Sequence, residues 1–213
     1  MLERAGYLGN IHEEKKLASL RTHPGDVVEI VRPDYKEGQE IWLGKMKAAC
    51  AETIDAMKAK HKVVFQAAFL DEEFQGFADF LILNDKDEYE VNDTKLARKA
   101  KITALLQLAA YADQLKKNDI PVGAQVHLLL GDGETSTHEL SDIMPVFLQR
   151  RERMREVIAE REAAWAAREE ATPWNDPRYK ACGKCPACQE QILASSDVLQ
   201  VANLKLTQRA KLR

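Results

Sequence analysis

Residues 75–95 read QGFADFLILNDKDEYEVNDTK, and this stretch decides the fold. Its two ends, QGFADFLIL and EYEVNDTK, contain the apolar, aromatic and β-branched residues that favour strands. The polar residues NDKD between them have the composition of a tight turn. The stretch therefore predicts a β-hairpin with strands over residues 75–83 and 88–95.

The hairpin lies within a longer alternation of predicted elements. Apolar runs predict further strands over residues 27–31, 62–70 and 125–130. The spacing of apolar residues predicts helices over residues 2–21, 45–59, 98–117 and 142–171. This order predicts an α/β fold in which a mixed central sheet is flanked by helices.

The composition suits one globular domain, or one domain with a small appendage. The 213 residues are 45% hydrophobic and 31% charged, with a formal net charge of −3. This charge does not favour general nucleic-acid affinity, so a function on nucleic acid must depend on a local site. Because the sequence contains no apolar run of about 18 residues and no hydrophobic block at its start, we expect no membrane contact and a cytoplasmic location.

Two aspartates and a lysine on the hairpin form the first candidate site. Asp79 lies in the middle of an apolar strand, where an unpaired carboxylate is costly. Asp93 and Lys95 are two residues apart on the neighbouring strand and so share one face. Two carboxylates and an amine at one point suit a hard divalent cation, with Lys95 binding or activating a water. The alternative is a surface hairpin with ordinary charges and a salt bridge.

The helix predicted after the hairpin carries a polar ridge beside its apolar stripe. Lys99, Thr103, Gln107 and Tyr111 recur every four residues and therefore share one side of the helix. From there, Gln107 and Tyr111 can contact a phosphate, a base or Lys95. The alternative is that they form the flank of an ordinary solvated helix.

A basic cluster lies directly beside the candidate cation site. It consists of Arg98, Lys99 and Lys101 together with Lys95. Such a cluster can bind phosphates even when the whole chain is mildly acidic. A solvated helix surface is the alternative interpretation.

Three of the four cysteines lie close together near the C-terminus. Cys182, Cys185 and Cys188 form a CxxCxxC pattern, and Cys50 stands apart from them. Clustered thiols in a reducing compartment favour a metal over disulfides, and zinc and iron–sulfur centres both normally take four ligands. We therefore expect a core over residues 1–171 and a small cysteine-rich, metal-binding tail over residues 172–213.

Taken in order, these motifs resemble a known enzyme superfamily. Residues 76–79 (GFAD), residues 93–95 (DTK) and the Gln107-xxx-Tyr111 pair resemble the RecB-like nucleases of the PD-(D/E)xK superfamily. Residues 89–98 (YEVNDTKLAR) are similar to the stand-alone RecB-like putative nucleases, a branch similar to CRISPR-associated RecB-like iron–sulfur exonucleases. The resemblance covers roughly residues 12–213 and implies a restriction-endonuclease-like fold.

The resemblance also implies roles for the matching residues. Asp79 and Asp93 would bind Mg²⁺ or Mn²⁺, and Lys95 would serve the attacking water and the transition state. The Gln107 and Tyr111 pair would steady the substrate and the active site.

Further metal ligands are implied in the same way. His12, which is followed by Glu13, fits the helical histidine that binds the metal in these nucleases. The carbonyl of Thr94 would be another ligand. Gln66 stands where some members have an acidic residue.

For the cysteines, the resemblance implies a [4Fe–4S] cluster rather than zinc. In the similar nucleases, a C-terminal cysteine triplet is joined by one distant N-terminal cysteine, which would precede the helix of His12. No cysteine lies there in this sequence. Either Cys50 completes the site, or a non-cysteine ligand or exogenous thiol does, or the site is incomplete.

Together, these features predict a metal-dependent deoxyribonuclease, an exonuclease acting on single-stranded or frayed DNA ends. The alternative is a nuclease-fold module that binds DNA or a protein without cleavage, and a third interpretation is an adaptor with a zinc ribbon. Family members continue beyond the segment that matches residues 201–209, so a larger protein or further domains are expected partners.

Overall fold

The computed structural model describes residues 2–169, 174–176, 178 and 181–212. The chain divides into two compact units, residues 1–151 and residues 152–213. The domain boundary predicted between residues 171 and 172 lies outside the described residues.

In its described part, the first unit contains one mixed six-stranded sheet in the sequential order β1-β2-β3-β4-β5-β6. The strands are β1 Val27–Glu29, β2 Val63–Leu70, β3 Gln75–Leu83, β4 Tyr89–Thr94, β5 Gln125–Leu129 and β6 Thr135–Glu139. Strands β2, β3 and β4 form an antiparallel meander, β1 and β5 add in parallel to β2 and β4, and β6 is antiparallel to β5. The predicted hairpin is present as β3 and β4.

Helices cover both faces of this sheet. They are α1 Leu2–Leu20, α2 Gln39–Lys58 and α3 Ile102–Lys117; α4 Leu140–Ala166 begins in the first unit and ends in the second. On one face, Leu17 of α1 packs with Val63 and Phe80. The opposite face carries the larger core, to which α2 contributes Met46 and α3 contributes Leu108. This arrangement confirms the α/β class and the mixed sheet flanked by helices.

The register of β3 and β4 positions the candidate site. Their paired residues run from Leu83 with Tyr89 to Phe80 with Asn92, where the ladder between them ends. Beyond Asn92, β4 continues beside β5, with Asp93 paired to Leu128. The two strands therefore part next to the positions of Asp79 and Asp93.

The second unit contains the cysteine cluster predicted near the C-terminus. Its further elements are α5 Pro186–Ala194, a 3₁₀ turn Val198–Gln200 and α6 Leu206–Arg209. The buried carboxylate of Asp197 holds the guanidinium of Arg209 at 2.5 Å, and that guanidinium lies over the Trp174 ring at 5.0 Å. Since Asp197 and Arg209 come from different elements, this ion pair ties the segment after α5 to α6.

Several element boundaries differ from the sequence predictions. Helix α2 begins at Gln39 rather than at residue 45, because Trp42 belongs to its buried face. Helix α3 begins at Ile102 rather than at residue 98, since residues 95–101 form a loop. Strand β6 was not predicted, because its sequence TSTHE is polar and lies at the sheet edge. Among the described residues, no helix combines the length and the apolar character needed to cross a lipid bilayer.

Candidate active site and cysteine cluster

Asp79 is fixed in the gap where β3 and β4 part. Its Oδ2 accepts a hydrogen bond from the backbone N–H of Thr94 and another from the Thr94 hydroxyl, each 2.9 Å long. Continuing the register of Phe80 with Asn92 by one residue sets Asp79 opposite Asp93. The structure thus brings together the two aspartates that the sequence predicts as cation ligands. The N–H and the hydroxyl of Thr94 hold one of them, and its carbonyl stays a predicted metal ligand.

Asp93 is a buried carboxylate beside another carboxylate. Its residue is 2% exposed, and its Oδ1 finds no hydrogen-bond donor in the described part of the chain. Burial, followed by the negative charge of Asp79, raises the pKa of Asp93 well above its ordinary range, and Lys95 acts in the opposite direction. A buried acid pair of this kind is stabilised by a proton or by a cation.

Lys95 supplies the positive charge next to this pair. Its Nζ lies 2.5 Å from Asp93 Oδ2, and about a third of its side chain is exposed (34%). The sequence placed Lys95 on the same face as Asp93 because the two are two residues apart along a strand. The ammonium group is therefore anchored at Asp93 while it remains accessible from solvent.

A hydrogen-bonded pair of a carboxylate and an amide extends the site toward α1. The side-chain amide of Gln66 donates a hydrogen bond to Glu13 of α1. Burial and then the charge of Asp79 raise the pKa of Glu13, and the charges of Arg32 and Lys95 lower it. These interactions identify Glu13 and Arg32 as neighbours of the site, which the sequence analysis did not select.

Gln66 itself is held in an unusual backbone conformation. Its φ is +56°, inside β2, where side-chain-bearing residues rarely adopt positive values. The residue is 7% exposed, and its Oε1 is buried without a hydrogen-bond partner in the described part of the chain. Strained residues with unsatisfied polar atoms cluster at functional sites, so Gln66 belongs with the candidate site.

Tyr111 of α3 packs against the start of β3. Its hydroxyl donates a 2.7 Å hydrogen bond to the carbonyl of Phe77. A Cβ at Gly76 would lie 3.0 Å from that hydroxyl, so the glycine allows the close approach. Burial raises the pKa of Tyr111, a hydrogen bond with Gln107 lowers it, and the charges of Asp93 and Asp79 raise it further. The predicted pair Gln107 and Tyr111 is therefore brought beside the two aspartates.

Arg32 completes this side of the site. It follows β1, is exposed, and places its guanidinium 4.8 Å from the centroid of the Phe77 ring. Arg32 and Phe77 thus form a cation–π pair. Since the charge of Arg32 lowers the pKa of both Glu13 and Tyr111, its guanidinium lies within electrostatic reach of both groups.

His12, the predicted metal ligand of α1, lies close to the end of β5. Its Nε2 lies 3.3 Å from the carbonyl oxygen of Leu129 at the end of β5. A ring nitrogen that donates to a carbonyl is not available to a metal at the same time, so Nδ1 is the nitrogen of His12 that could bind one. In this arrangement, Glu13 rather than His12 directs a charged group of α1 toward Asp79.

The aspartate pair fits a divalent cation that keeps part of its water shell. In the described part of the chain, His12, Glu13, Asp79 and Asp93 do not form a group of three or more ligand atoms within 4.8 Å of one another. Mg²⁺ is commonly bound by one or two carboxylates, with water and phosphate oxygens as its other ligands. The buried Oδ1 of Asp93, which lacks a donor, is a suitable ligand of this kind.

The predicted basic cluster lies on the loop after β4 and at the start of α3. Arg98, Lys99 and Lys101 are all exposed. Lys101 is the N-cap residue of α3 and makes no side-chain capping hydrogen bond. The three side chains are available to an anion beside Lys95.

The CxxCxxC cysteines converge. Their sulfur atoms all lie within 4.8 Å of one another, and Cys182 Sγ is 3.6 Å from Cys188 Sγ. The N–H groups of Lys184 and Cys185 donate to Cys182 Sγ at 3.4 and 3.3 Å and lower the pKa of Cys182 to about 6. Three converging thiols of this kind can bind a metal such as zinc or an iron–sulfur centre once they are deprotonated.

Cys50, the cysteine outside the triplet, has a different environment. It lies in α2 and packs, half-buried, against the main core of the first unit. Burial raises the pKa of the Cys50 thiol. This environment favours the neutral thiol, whereas a metal ligand must be a thiolate.

Comparison with known proteins identifies no relative: no protein-family model matches the chain, and no curated protein matches it.

Two of the residues around Asp79 were missed for identifiable reasons. Glu13 is one of several charged residues of α1, and its position next to His12 was the one available signal. Arg32 lies in the polar loop after β1, where an arginine is unremarkable in sequence. Both become notable through long-range packing, because α1 and β1 are far from Asp79 along the chain.

Proposed function

We propose that this protein is a metal-dependent phosphodiesterase of the RecB-like, PD-(D/E)xK type, with a restriction-endonuclease-like fold, that cleaves DNA from single-stranded or frayed ends. One observation supports the proposal most strongly. Asp93 is buried beside Asp79, has an oxygen without a hydrogen-bond donor, and lies 2.5 Å from the Lys95 ammonium. This arrangement fits a cation and a phosphate better than it fits a purely structural role.

In the proposed reaction, Asp79 and Asp93 bind a Mg²⁺ or Mn²⁺ ion. When bound, this ion polarises the scissile phosphate and offsets its negative charge. Thr94 keeps the Asp79 carboxylate oriented through two hydrogen bonds. The carboxylates are therefore held in place before substrate arrives, which avoids reorganisation during the reaction.

Lys95 acts on the water and on the developing charge. Its ammonium, anchored at Asp93, orients the water whose oxygen attacks phosphorus as the bond to the leaving oxygen breaks. The same ammonium stabilises the negative charge that grows on the phosphate oxygens.

Glu13, Gln66 and Arg32 extend the site on the side of α1. Gln66 holds the Glu13 carboxylate close to Asp79, where it would add negative charge beside the residues that would hold the cation. Arg32, resting on Phe77, is positioned to bind a phosphate oxygen of the substrate. Tyr111 and Gln107 steady the strand that carries Asp79.

For the second unit, we propose that Cys182, Cys185 and Cys188 bind a [4Fe–4S] cluster, with Zn²⁺ as the alternative. The N–H donors to Cys182 suit either centre, since thiolate ligands in both are stabilised by backbone hydrogen bonds. The centre would fix the loop that begins α5.

The proposal is tested by cleavage of labelled single-stranded DNA in Mn²⁺. We expect cleavage by the parent protein and a loss of about 100-fold or more in Asp93→Asn and in Lys95→Ala. The matched controls are Asp85→Asn and Lys86→Ala, exposed residues of the β3–β4 turn, which should cleave like the parent. Equal activity in all five proteins would refute the assignment. Mn²⁺ binding with DNA retention and no cleavage would favour the binding module instead.

A further inference from the structure

A cavity of about 200 Å³ opens next to Lys95. It lies between the loop after β4, the first turns of α3 and the end of β5. Its floor is apolar and includes Leu128, Leu130 and Ala104, which are all buried. Its polar lining is Lys95, Lys99, Lys101, Thr103 and Gln107.

The wall of this cavity is tied to the sheet. Lys95 donates its backbone N–H to the carbonyl of Leu129 at 2.9 Å, and Gly131 donates to the carbonyl of Ala97 at 3.1 Å. A Cβ at Gly131 would lie only 2.3 Å from the carbonyl oxygen of Leu96, so the two backbones are in close contact. The loop that carries the lysines is therefore a defined part of the fold rather than a free surface segment.

The charge of the cavity is positive. Lys99 and Lys101 are exposed and have no ion-pair partner within the described part of the chain. Lys95, whose partner is Asp93, joins the cavity directly to the candidate cation site. A ligand here would meet ammonium groups at the rim and aliphatic side chains at the floor.

We propose that this cavity binds one nucleotide of the nucleic acid, with the base or sugar on the apolar floor and a phosphate at Lys99 and Lys101. The inference deepens the proposed function and rests on it for the position of this nucleotide beside the scissile phosphate. The volume is below the roughly 300–1,000 Å³ of sites for drug-sized ligands. It therefore admits one base or sugar, leaves the phosphate outside at the exposed Lys99 and Lys101, and excludes a base pair from the same space.

The site would act on unpaired nucleotides. A nucleotide that enters the cavity must be unpaired, because its partner base would not fit with it. The cavity would consequently favour single-stranded or frayed ends over intact duplex, and a released mononucleotide would compete with substrate for the same lysines.

The inference is tested by titrating thymidine 5′-monophosphate into the full-length protein in EDTA and measuring binding by calorimetry. We expect a dissociation constant of about 1 mM or lower, with weaker binding of inorganic phosphate and of thymidine. Thr103→Phe, an exposed position that lines the cavity, should weaken nucleotide binding at least tenfold, as should the double change Lys99→Glu with Lys101→Glu. The matched control is Lys116→Glu, an exposed lysine at the far end of α3, which should bind like the parent.

The possible outcomes separate this inference from the proposed function. Asp93→Asn should lose cleavage but keep nucleotide binding, because Asp93 does not line the cavity. Cleavage by the parent without nucleotide binding would overturn the inference alone. Binding of phosphate as tightly as the nucleotide, or unchanged binding in Thr103→Phe, would also overturn it. If the protein binds the nucleotide with the expected variant effects but cleaves no DNA, the result would support the inferred nucleotide site and refute the proposed nuclease function.

Discussion

Asp79 accepts two hydrogen bonds from Thr94, one from its backbone N–H and one from its hydroxyl, both at 2.9 Å. The residue directly after Asp93 therefore orients the carboxylate that faces Asp93. The end of β4 and the residue after it thus supply three consecutive residues of the site. Asp93 is a proposed ligand, Thr94 orients the other proposed ligand, Asp79, and Lys95 provides the ammonium group.

Thr94→Val should reduce cleavage without unfolding the protein. Valine keeps the β-branched shape that β4 favours, and it removes one of the two hydrogen bonds to Asp79. A hydrogen bond to a charged group is worth about 1.5–3 kcal/mol, so we expect a loss of at least about tenfold in single-turnover cleavage. Thr135→Val, at an exposed position of β6, is the control. Parent-like cleavage by Thr94→Val would mean that the hydroxyl does not orient Asp79.

Glu13→Gln should weaken Mn²⁺ binding several-fold, while Glu14→Gln should leave it unchanged. Glu13 is held by Gln66 close to Asp79, whereas its neighbour Glu14 is exposed. Removal of one negative charge near a cation lowers its affinity. Titration of free Mn²⁺ by electron paramagnetic resonance measures both variants. Identical isotherms would remove Glu13 from the site.

The metal-free protein should lose stability as the pH rises above about 4. The pKa of Asp93 is raised in the folded protein, and its unfolded value is near 3.9. At pH values between the unfolded pKa and the raised folded pKa of Asp93, the native state therefore binds more protons than the unfolded state. The free energy of unfolding then falls as the pH rises through the folded pKa. Below pH 4, both states are protonated and the contribution is fully present.

This slope should be smaller in Asp93→Asn, which does not titrate. Urea unfolding in EDTA over this pH range, for the parent and for the variant, gives the comparison. Parallel stability curves would show that Asp93 is not held with a raised pKa.

Metal content should depend on the cysteine triplet and not on Cys50. Serine at Cys182, Cys185 or Cys188 removes one of three convergent thiols, whereas Cys50 packs against a hydrophobic core. We expect each triplet variant to lose the metal and Cys50→Ser to retain it, as measured by elemental analysis. Absorbance near 400 nm in anaerobically purified protein identifies an iron–sulfur cluster, and its absence with bound zinc identifies the alternative. Loss of metal in Cys50→Ser would make Cys50 the fourth ligand.

Gly131→Ala should destabilise the protein by about 2 kcal/mol or more. The added methyl group would meet the Leu96 backbone, which cannot move without disturbing the loop that carries Lys95. Gly133→Ala probes the same turn, where a Cβ would meet open space but φ is +90°. Thermal unfolding of both variants separates the steric contact at residue 131 from the backbone strain at residue 133.

Local patterns were sufficient to predict much of the fold. The apolar run over residues 75–83 predicted β3 with both of its ends, and the amphipathic pattern predicted the end of α3 but a start at residue 98, four residues before Ile102. Strand β6 was missed because it lies at the sheet edge and has no alternating apolar residues. Its half-buried positions are Ser136 and His138, whose side chains form a hydrogen bond with each other. Helix α5 was not predicted because it is short and has no clear apolar stripe; its start is set by Cys185, which caps it, and by Pro186.

For the candidate site, the sequence could predict which residues lie near one another where these residues are close together along the chain. Asp79, Asp93 and Lys95 could be joined by the geometry of one hairpin. Glu13 could not be joined to them in this way, because its position relative to Asp79 depends on how α1 packs across the sheet. The conformation of Gln66 could not be anticipated either, since no local residue pattern marks a positive φ at a glutamine.

Most groups of the candidate site come from one unbroken length of chain, from Gly76 in β3 to Tyr111 in α3. Their order and spacing are set by one tight turn and one loop that is bonded to β5. Extra residues at the exposed Asp132 bend, or a new chain junction ahead of α2, would therefore leave that length of chain uninterrupted.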